Sequence, residues 1–124
     1  MSRPLSHSDQ VTANDQLAQH LELLYADPEL GNASRQWHTT LLFYAAVHWV
    51  EEQLQQKKYP PSLDHQMRKR RLRQVWPGKK TAIRAYLQLE HFSRQARYEG
   101  WIPTDQDLQD AKNYLQHVRT AITS

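Results

Sequence analysis

One stretch of the sequence, residues 37–54, is apolar on nearly every side of a helix, and it restricts the possible folds more than any other stretch. At about 100° per residue, this helix carries three apolar stripes, whereas a surface helix carries one. A helix of this kind needs other helices around it, so the sequence predicts a bundle with this helix in its middle. The stripes are Trp37, Leu41, Tyr44 and His48; Phe43, Val47, Val50 and Leu54; and Leu42, Ala46 and Trp49.

His48 is the polar residue of these stripes, and it has two interpretations. We expect it in the most buried part of the helix, with Tyr44 one turn before it and Glu52 one turn after it. Buried polar groups are normally hydrogen-bonded, so His48 is interpreted first as a core residue satisfied by these neighbours. The alternative is that His48 faces a ligand site.

Capping and turn residues divide the rest of the chain into further helices. We expect helices over about 13–26, 65–75 and 80–98 and from Thr104 onward, with Thr12, Ser34, Asp64 and Thr104 as N-caps. Alternating strand patterns and hairpin turns are absent from the sequence. The prediction is therefore an all-α, up-and-down bundle of four main helices plus one short helix. Residues 1–11 are predicted to be a flexible N-terminal lead-in and residues 12–124 a single helical bundle domain.

Composition excludes several classes of function. A chain of 124 residues forms one domain, and the lack of cysteine excludes disulfides, thiolate chemistry and cysteine-ligated metals. An apolar leader and a bilayer-length apolar run are both missing, which favours a cytoplasmic protein. Phosphate-binding glycine loops and helix-spaced histidine pairs are also missing, so we expect no cofactor and no metal. A metal site built from His48, His65 and a carboxylate on different helices is the alternative that remains.

Basic residues are concentrated in one segment. The net charge is only +3, but no Asp or Glu occurs between His65 and Leu89. A basic cluster on a folded domain is typical of polyanion binding, and Trp76 beside it offers a ring for stacking on a base. Alternatively, acidic side chains such as Glu51, Glu52 and Glu99, or those of a partner, neutralise the cluster. The cluster consists of Arg68, Lys69, Arg70, Arg71, Arg73, Lys79, Lys80 and Arg84.

Two arginine and histidine pairs have spacings that suit phosphate chemistry. His65 and Arg68 lie on one face at the start of a helix, where the helix N-terminus attracts anions. Arg84 and His91 are seven residues apart and also share a face. In a metal-independent ribonuclease the arginine would stabilise the scissile phosphate while the histidine moves the proton of the attacking 2'-hydroxyl. Arg84 and His91 are therefore candidate catalytic residues.

The order of several motifs resembles that of HEPN domains. The run FYAAVHWVEEQL (residues 43–54) resembles their hallmark helix, with an aromatic pair followed by Ala-x-x-His. Pro60-Pro61 with His65 resembles the loop and histidine that follow that helix, and residues 93–98 with Leu89 resemble the Leu, Arg-x-x-Ala-Asp-Tyr element. Residues 102–104 resemble the start of the final helix. The resemblance covers about residues 37–122, but Ser93 and Arg97 stand where the family often has Arg and Asp.

The resemblance implies a bundle of four to five helices, homodimers with a groove between protomers, and roles in RNA handling, toxin–antitoxin pairs or phage defence. RNA-cutting members carry Arg-x(4–6)-His, which Arg84 and His91 match at its loosest spacing. Non-catalytic members bind nucleotides or partner proteins.

These observations lead to three hypotheses. The first is a domain that binds RNA or nucleotide phosphates. The second is a non-catalytic protein-interaction or dimerisation module that meets an acidic partner, and the third is a ribonuclease using Arg84 and His91. The predicted ligand-binding residues are His48, His65, Arg68, Arg94, Arg97 and Tyr98, beside a basic patch of Lys69, Arg70, Arg71, Arg73, Lys79 and Lys80.

Overall fold

The part of the chain that the structure describes contains five α-helices and no strand. This computed structural model describes residues 6–124, with side chains for all of these except residues 7, 8 and 11. The helices are α1 (His7–Glu22), α2 (Gly31–Gln56), α3 (His65–Val75), α4 (Lys80–Tyr98) and α5 (Asp105–Ala121). The predicted all-α, up-and-down bundle with one short helix is confirmed. None of the described helices combines the length and the apolar character that crossing a membrane requires.

Side-chain caps fix the starts of α3 and α5 where the sequence predicts them. The carboxylate of Asp64 accepts a hydrogen bond from the backbone N–H of Met67 at 2.8 Å. The hydroxyl of Thr104 accepts from the N–H of Asp107 at 3.1 Å, and the Asp107 carboxylate accepts from the N–H of Thr104 at 2.8 Å. This reciprocal pair satisfies two N–H groups that the first turn of α5 cannot satisfy itself.

The first helix begins earlier and ends earlier than the sequence suggests. Ser6 caps it, because its hydroxyl accepts from the N–H of Asp9 at 3.1 Å, and the helix runs through Thr12, the predicted cap. It ends at Glu22 instead of near Ala26. The later part of the predicted lead-in is therefore helical, and residues 1–5 lie outside the described residues.

The second helix also begins before its predicted cap. The helix starts at Gly31 after a turn in which the Asp27 carboxylate accepts from the N–H groups of Glu29 and Leu30, both at 2.8 Å, and its N-cap residue, Leu30, makes no side-chain capping bond. Ser34, the predicted N-cap, lies inside the helix, where its hydroxyl donates to the carbonyl of Leu30 at 2.7 Å.

Helix α2 lies in the middle of the bundle, as predicted, and packs against α1, α4 and α5. Two of its three predicted stripes are buried, except for the half-buried Trp49. The third stripe, which runs from Trp37 to His48, is exposed at Trp37 and half-buried at its other positions. Trp37 is 58% exposed, and His48 is half-buried and not in the most buried part of the helix as predicted. The predicted apolar stripe of α5 is buried throughout, at Leu108, Ala111, Leu115, Val118 and Ile122.

The segment after α5 closes one end of the core. The indole N–H of Trp49 donates to the carbonyl of Ile122 at 2.7 Å, and the indole N–H of Trp76 donates to the carbonyl of Thr123 at 2.9 Å. The backbone N–H of Ser124 donates to the Gln53 side chain at 2.8 Å. These bonds tie α2 and the end of α3 to residues 122–124.

A buried histidine joins the start of α2 to the turn after α1. His38 is 1% exposed, and its Nδ1 shares a hydrogen bond with the hydroxyl of Tyr25. The guanidinium of Arg35 lies 4.5 Å from the centre of the Tyr25 ring. Burial, followed by the charge of Lys112, lowers the pKa of His38 to about 4, so the ring is neutral at pH 7.

Candidate functional site

A cleft of about 390 Å³ lies between the start of α3 and the end of α4, and we call it the phosphate cleft. It contains four of the six predicted ligand-binding residues, His65, Arg94, Arg97 and Tyr98, together with Lys69 from the predicted basic patch. Two separate helices therefore contribute cations to one concave surface. The full lining is Phe43, Asp64, His65, Gln66, Lys69, Glu90, Arg94, Arg97 and Tyr98.

His65 is the first residue of α3, and Arg68 fixes its ring. Nη1 of Arg68 lies 2.7 Å from Nδ1 of His65, and the Phe43 ring centre lies 5.6 Å from the His65 ring centre. A guanidinium can only donate, so Nδ1 accepts and the proton of the neutral ring resides on Nε2. Burial and the nearby Arg68 charge lower the pKa of His65. His65 is therefore a neutral hydrogen-bond donor at pH 7.

Arg68 lies behind His65, where it is part of a buried ion pair. Its Nε donates to the Glu51 carboxylate at 2.8 Å, and the two side chains are only 9% and 8% exposed. Glu51 also accepts from the N–H of Ser62 at 3.2 Å. Burial raises the pKa of Glu51, but the hydrogen bonds from Ser62 and Arg68 outweigh it, and the net pKa is lowered. Arg68 therefore acts on the cleft by positioning His65.

Arg97 is held in place by two tyrosines. Its Nη1 donates to the hydroxyl of Tyr44 at 3.2 Å, and its Nε donates to the carbonyl of Ser93 at 3.4 Å. The guanidinium carbon lies 5.8 Å from the Tyr44 ring centre and 5.0 Å from the Tyr98 ring centre, within cation–π range. The Tyr98 ring itself is 75% exposed. A fixed cation thus lies beside an exposed aromatic face.

The two carboxylates of the phosphate cleft are already engaged. Glu90 accepts from the Lys69 ammonium at 3.0 Å across the space between α3 and α4, and Asp64 caps α3. The exposed Arg94 and the half-buried Arg97 take part in neither of these two interactions. Lys69, Arg94 and Arg97 outnumber Asp64 and Glu90 by three to two, so with His65 neutral the lining carries a formal charge of +1.

A second cleft, of about 360 Å³, lies between the end of α3 and the start of α4. The first cleft joins the start of α3 to the end of α4, so the two helices run antiparallel. The Lys69–Glu90 pair, which lines the first cleft, links the two helices. We call the whole surface the α3–α4 groove. The lining of the second cleft is Arg73, Pro77, Lys80, Ile83, Arg84 and Leu87.

The rest of the predicted basic patch is divided between solvent and local contacts. Arg70 and Lys79 are exposed. Arg71 donates to the carbonyl of Pro60 at 2.6 Å and to the hydroxyl of Ser62 at 3.1 Å. Part of the patch therefore stabilises the 57–64 loop. Of the three acids expected to neutralise the cluster, Glu51 pairs with Arg68. Glu90, which was not among the expected acids, pairs with Lys69.

Two predicted ligand-binding residues, His48 and the buried Arg68, and both candidate catalytic residues are not part of the lining of the phosphate cleft. His48 is half-buried on α2 and is not among the described residues that line the cleft. Arg84 lies in the second cleft, and His91 is exposed on α4. The catalytic roles of Arg84 and His91 stay a prediction. Among the side chains that the structure describes, no group of three or more His, Asp or Glu is arranged to hold a metal ion.

The fold and the groove together place the chain in one structural class of protein, the all-α helical bundles, with a cationic groove between two antiparallel helices. Comparison of the chain with family models, with curated proteins and with solved structures found no match.

Proposed function

We propose that the chain is a HEPN-like helical domain that binds single-stranded RNA or nucleotide phosphates along the α3–α4 groove. The observation that carries the proposal is the convergence of His65, Arg94, Arg97 and Tyr98, from two helices, on one cleft. The sequence resemblance supports the family and the setting, which we propose to be RNA handling in toxin–antitoxin or phage-defence systems.

The chemistry of the cleft suits a phosphodiester. Arginine binds phosphate oxygens through two parallel N–H groups, which the exposed Arg94 offers; Arg97 adds the N–H groups that its bonds to Tyr44 and Ser93 do not use, and neutral His65 adds one donor. The exposed Tyr98 ring provides a stacking surface for a base. Arg73, Lys80 and Arg84 extend the cationic surface along the groove, so further phosphates are bound beyond the first. Contacts to phosphate carry no sequence information, and the expected binding is therefore tolerant of base sequence.

Binding to a fluorescently labelled single-stranded RNA, measured by anisotropy over a range of salt concentrations, tests this proposal. The logarithm of the binding constant should fall linearly with the logarithm of salt concentration. Arg94→Ala should weaken binding severalfold and reduce the slope by about 1. Arg70→Ala is the matched control, because Arg70 is exposed on α3 but lines neither cleft. Absence of salt-dependent binding by the unaltered chain would refute the proposal.

A protein-interaction module, including a homodimer, is the second candidate. Trp37 is 58% exposed on α2, and large exposed aromatic side chains are typical of interface hot spots. Association through such a side chain depends little on salt, whereas phosphate binding depends on it steeply. Sedimentation of the chain at low and high salt distinguishes the two.

A further inference from the structure

Arg97 forms a wall of two clefts, one on each side of it. Besides the phosphate cleft, it lines a cleft of about 310 Å³ together with Gln36, Trp37, Thr40 and Ala96. We call this 310 Å³ cleft the Trp37 cleft. It lies between the first half of α2 and the end of α4.

The Trp37 cleft combines a flat aromatic wall with polar groups. Trp37 is the most exposed tryptophan, since Trp76 is buried and Trp49 and Trp101 are half-buried. The Gln36 amide N–H donates to the carbonyl of Trp101 at 3.2 Å, which orients the amide and leaves its oxygen as an acceptor. The remaining walls are the oriented Gln36 amide, the Ala96 methyl group, the Arg97 guanidinium and the buried Thr40, whose hydroxyl is already bonded to the Gln36 carbonyl and the Ser93 hydroxyl, both at 3.4 Å.

We infer that the Trp37 cleft is a base-binding subsite, and that a nucleotide spans Arg97 with its phosphate in the phosphate cleft and its base against Trp37. The inference rests on the proposed function and adds to it a binding site for the base of the ligand. A ligand that meets both clefts needs an anion and a planar ring with polar edges side by side, which is the chemistry of a nucleotide. Arg97 contacts both parts, and its bonds to Tyr44 and Ser93 hold it before the ligand arrives.

A nucleotide fits these walls better than a protein partner does. A protein interface around a tryptophan normally surrounds it with apolar groups that exclude water. Here Trp37 is bordered by Gln36 and Arg97, whose amide oxygen and guanidinium are an acceptor and a donor for a base or a phosphate. The expected preference is for RNA over an abasic strand of equal length, and for the abasic strand over inorganic tripolyphosphate.

The test compares two probes, a single-stranded RNA of about 8 nucleotides and an abasic strand of equal length and charge. Trp37→Ala should weaken RNA binding about tenfold and leave abasic binding unchanged, because only the stacking contact is lost. Arg94→Ala should weaken both probes. Leu63→Ala is the matched control, because Leu63 is 84% exposed and lines neither cleft.

A second variant and a spectroscopic readout complete the test. RNA should quench tryptophan emission in the unaltered chain, whereas the abasic strand should not. Trp37→Phe should abolish most of this quenching while retaining much of the affinity, since phenylalanine also stacks. This variant keeps an aromatic ring and so tests the subsite even if the alanine variant fails to fold.

The outcomes separate the two proposals. If the unaltered chain binds neither probe, the proposed function fails and the subsite fails with it. If both probes bind equally and Trp37→Ala changes neither, while Arg94→Ala weakens both, the groove binds phosphate and the base subsite is refuted. If Trp37→Ala converts a dimer into a monomer in sedimentation without changing RNA affinity, Trp37 is a protein contact and the inference is overturned.

Discussion

Removing the carboxylate of Glu51 should destabilise the whole bundle, because it leaves the buried charge of Arg68 without its partner. The two side chains are 8% and 9% exposed and their charged atoms lie 2.8 Å apart. Breaking such a pair from one side costs about 3–5 kcal/mol. Ser62 loses its acceptor as well, which adds about 1 kcal/mol. For a domain of this size, we expect Glu51→Ala to lower the melting temperature by roughly 10–20 °C.

Replacing both partners separates the buried charge from simple loss of packing. The double variant Glu51→Leu with Arg68→Met removes both charges together, and such replacements are often neutral or stabilising. We therefore expect it to be more stable than Glu51→Ala. Asp15→Ala is the matched control. It breaks the half-exposed Arg119–Asp15 pair, which spans 3.1 Å, and should cost less than about 1 kcal/mol.

Urea unfolding followed by far-UV circular dichroism measures these free energies, and its pH dependence gives a second test. The pKa of Glu51 lies below its ordinary value of 4.5 in the folded chain, despite the opposing effect of burial. Its stabilisation is therefore complete above pH 4.5 and is lost as the pH falls through the folded pKa. A cost below about 1 kcal/mol for Glu51→Ala, or a double variant less stable than Glu51→Ala, would refute this account.

Three further predictions concern other parts of the chain. His38→Gln should flatten the loss of stability between pH 6.5 and 4, on the order of 2 kcal/mol, because in this range the unfolded chain takes up a proton that the buried ring resists. Gly100→Ala should cost about 1 kcal/mol because Gly100 has a φ of +69°, whereas Gly78→Ala should be neutral or slightly stabilising. If the chain cleaves RNA, Arg84→Ala and His91→Ala should each abolish cleavage without unfolding it.

Each of these three predictions has its own measurement and a result that would contradict it. Urea titrations at several pH values test His38, and an unchanged pH profile in the glutamine variant would count against its role. Thermal unfolding compares the two glycines, and equal costs would show that backbone conformation at Gly100 is not the cause. Gel analysis of labelled RNA tests cleavage, and activity that persists in both variants would exclude Arg84 and His91 as its catalysts.

The parts of the fold that were predictable from sequence are those determined locally. Asp64 and Thr104 cap their helices through bonds to residues three positions on, so the sequence contains both partners. The start of α2 was not predictable in this way. Ser34 is a good cap by residue type, but the helix already starts at Gly31, after a turn that the Asp27 carboxylate stabilises. Residue preference at position 34 does not show that the preceding turn allows an earlier start.

The candidate site was predictable only in part, because it depends on which helices meet. Helical spacing identifies residues on one face, but it does not show that Lys69 meets Glu90 or that Arg68 is buried against Glu51. Trp37 was expected to be inside because three apolar stripes suggest a fully surrounded helix. The structure leaves one stripe partly uncovered, and neighbouring helices decide which stripe that is.

The two indole bonds to residues 122 and 123 have a consequence for how opening of the molecule is measured. They join positions 73 and 47 residues apart in sequence, so they form only when α2, α3 and the end of α5 are all assembled. The Trp49 and Trp76 indole protons should therefore exchange with solvent deuterium at rates that report on opening of the entire bundle. Exchange of these two indole protons, followed by NMR, would measure global opening under native conditions.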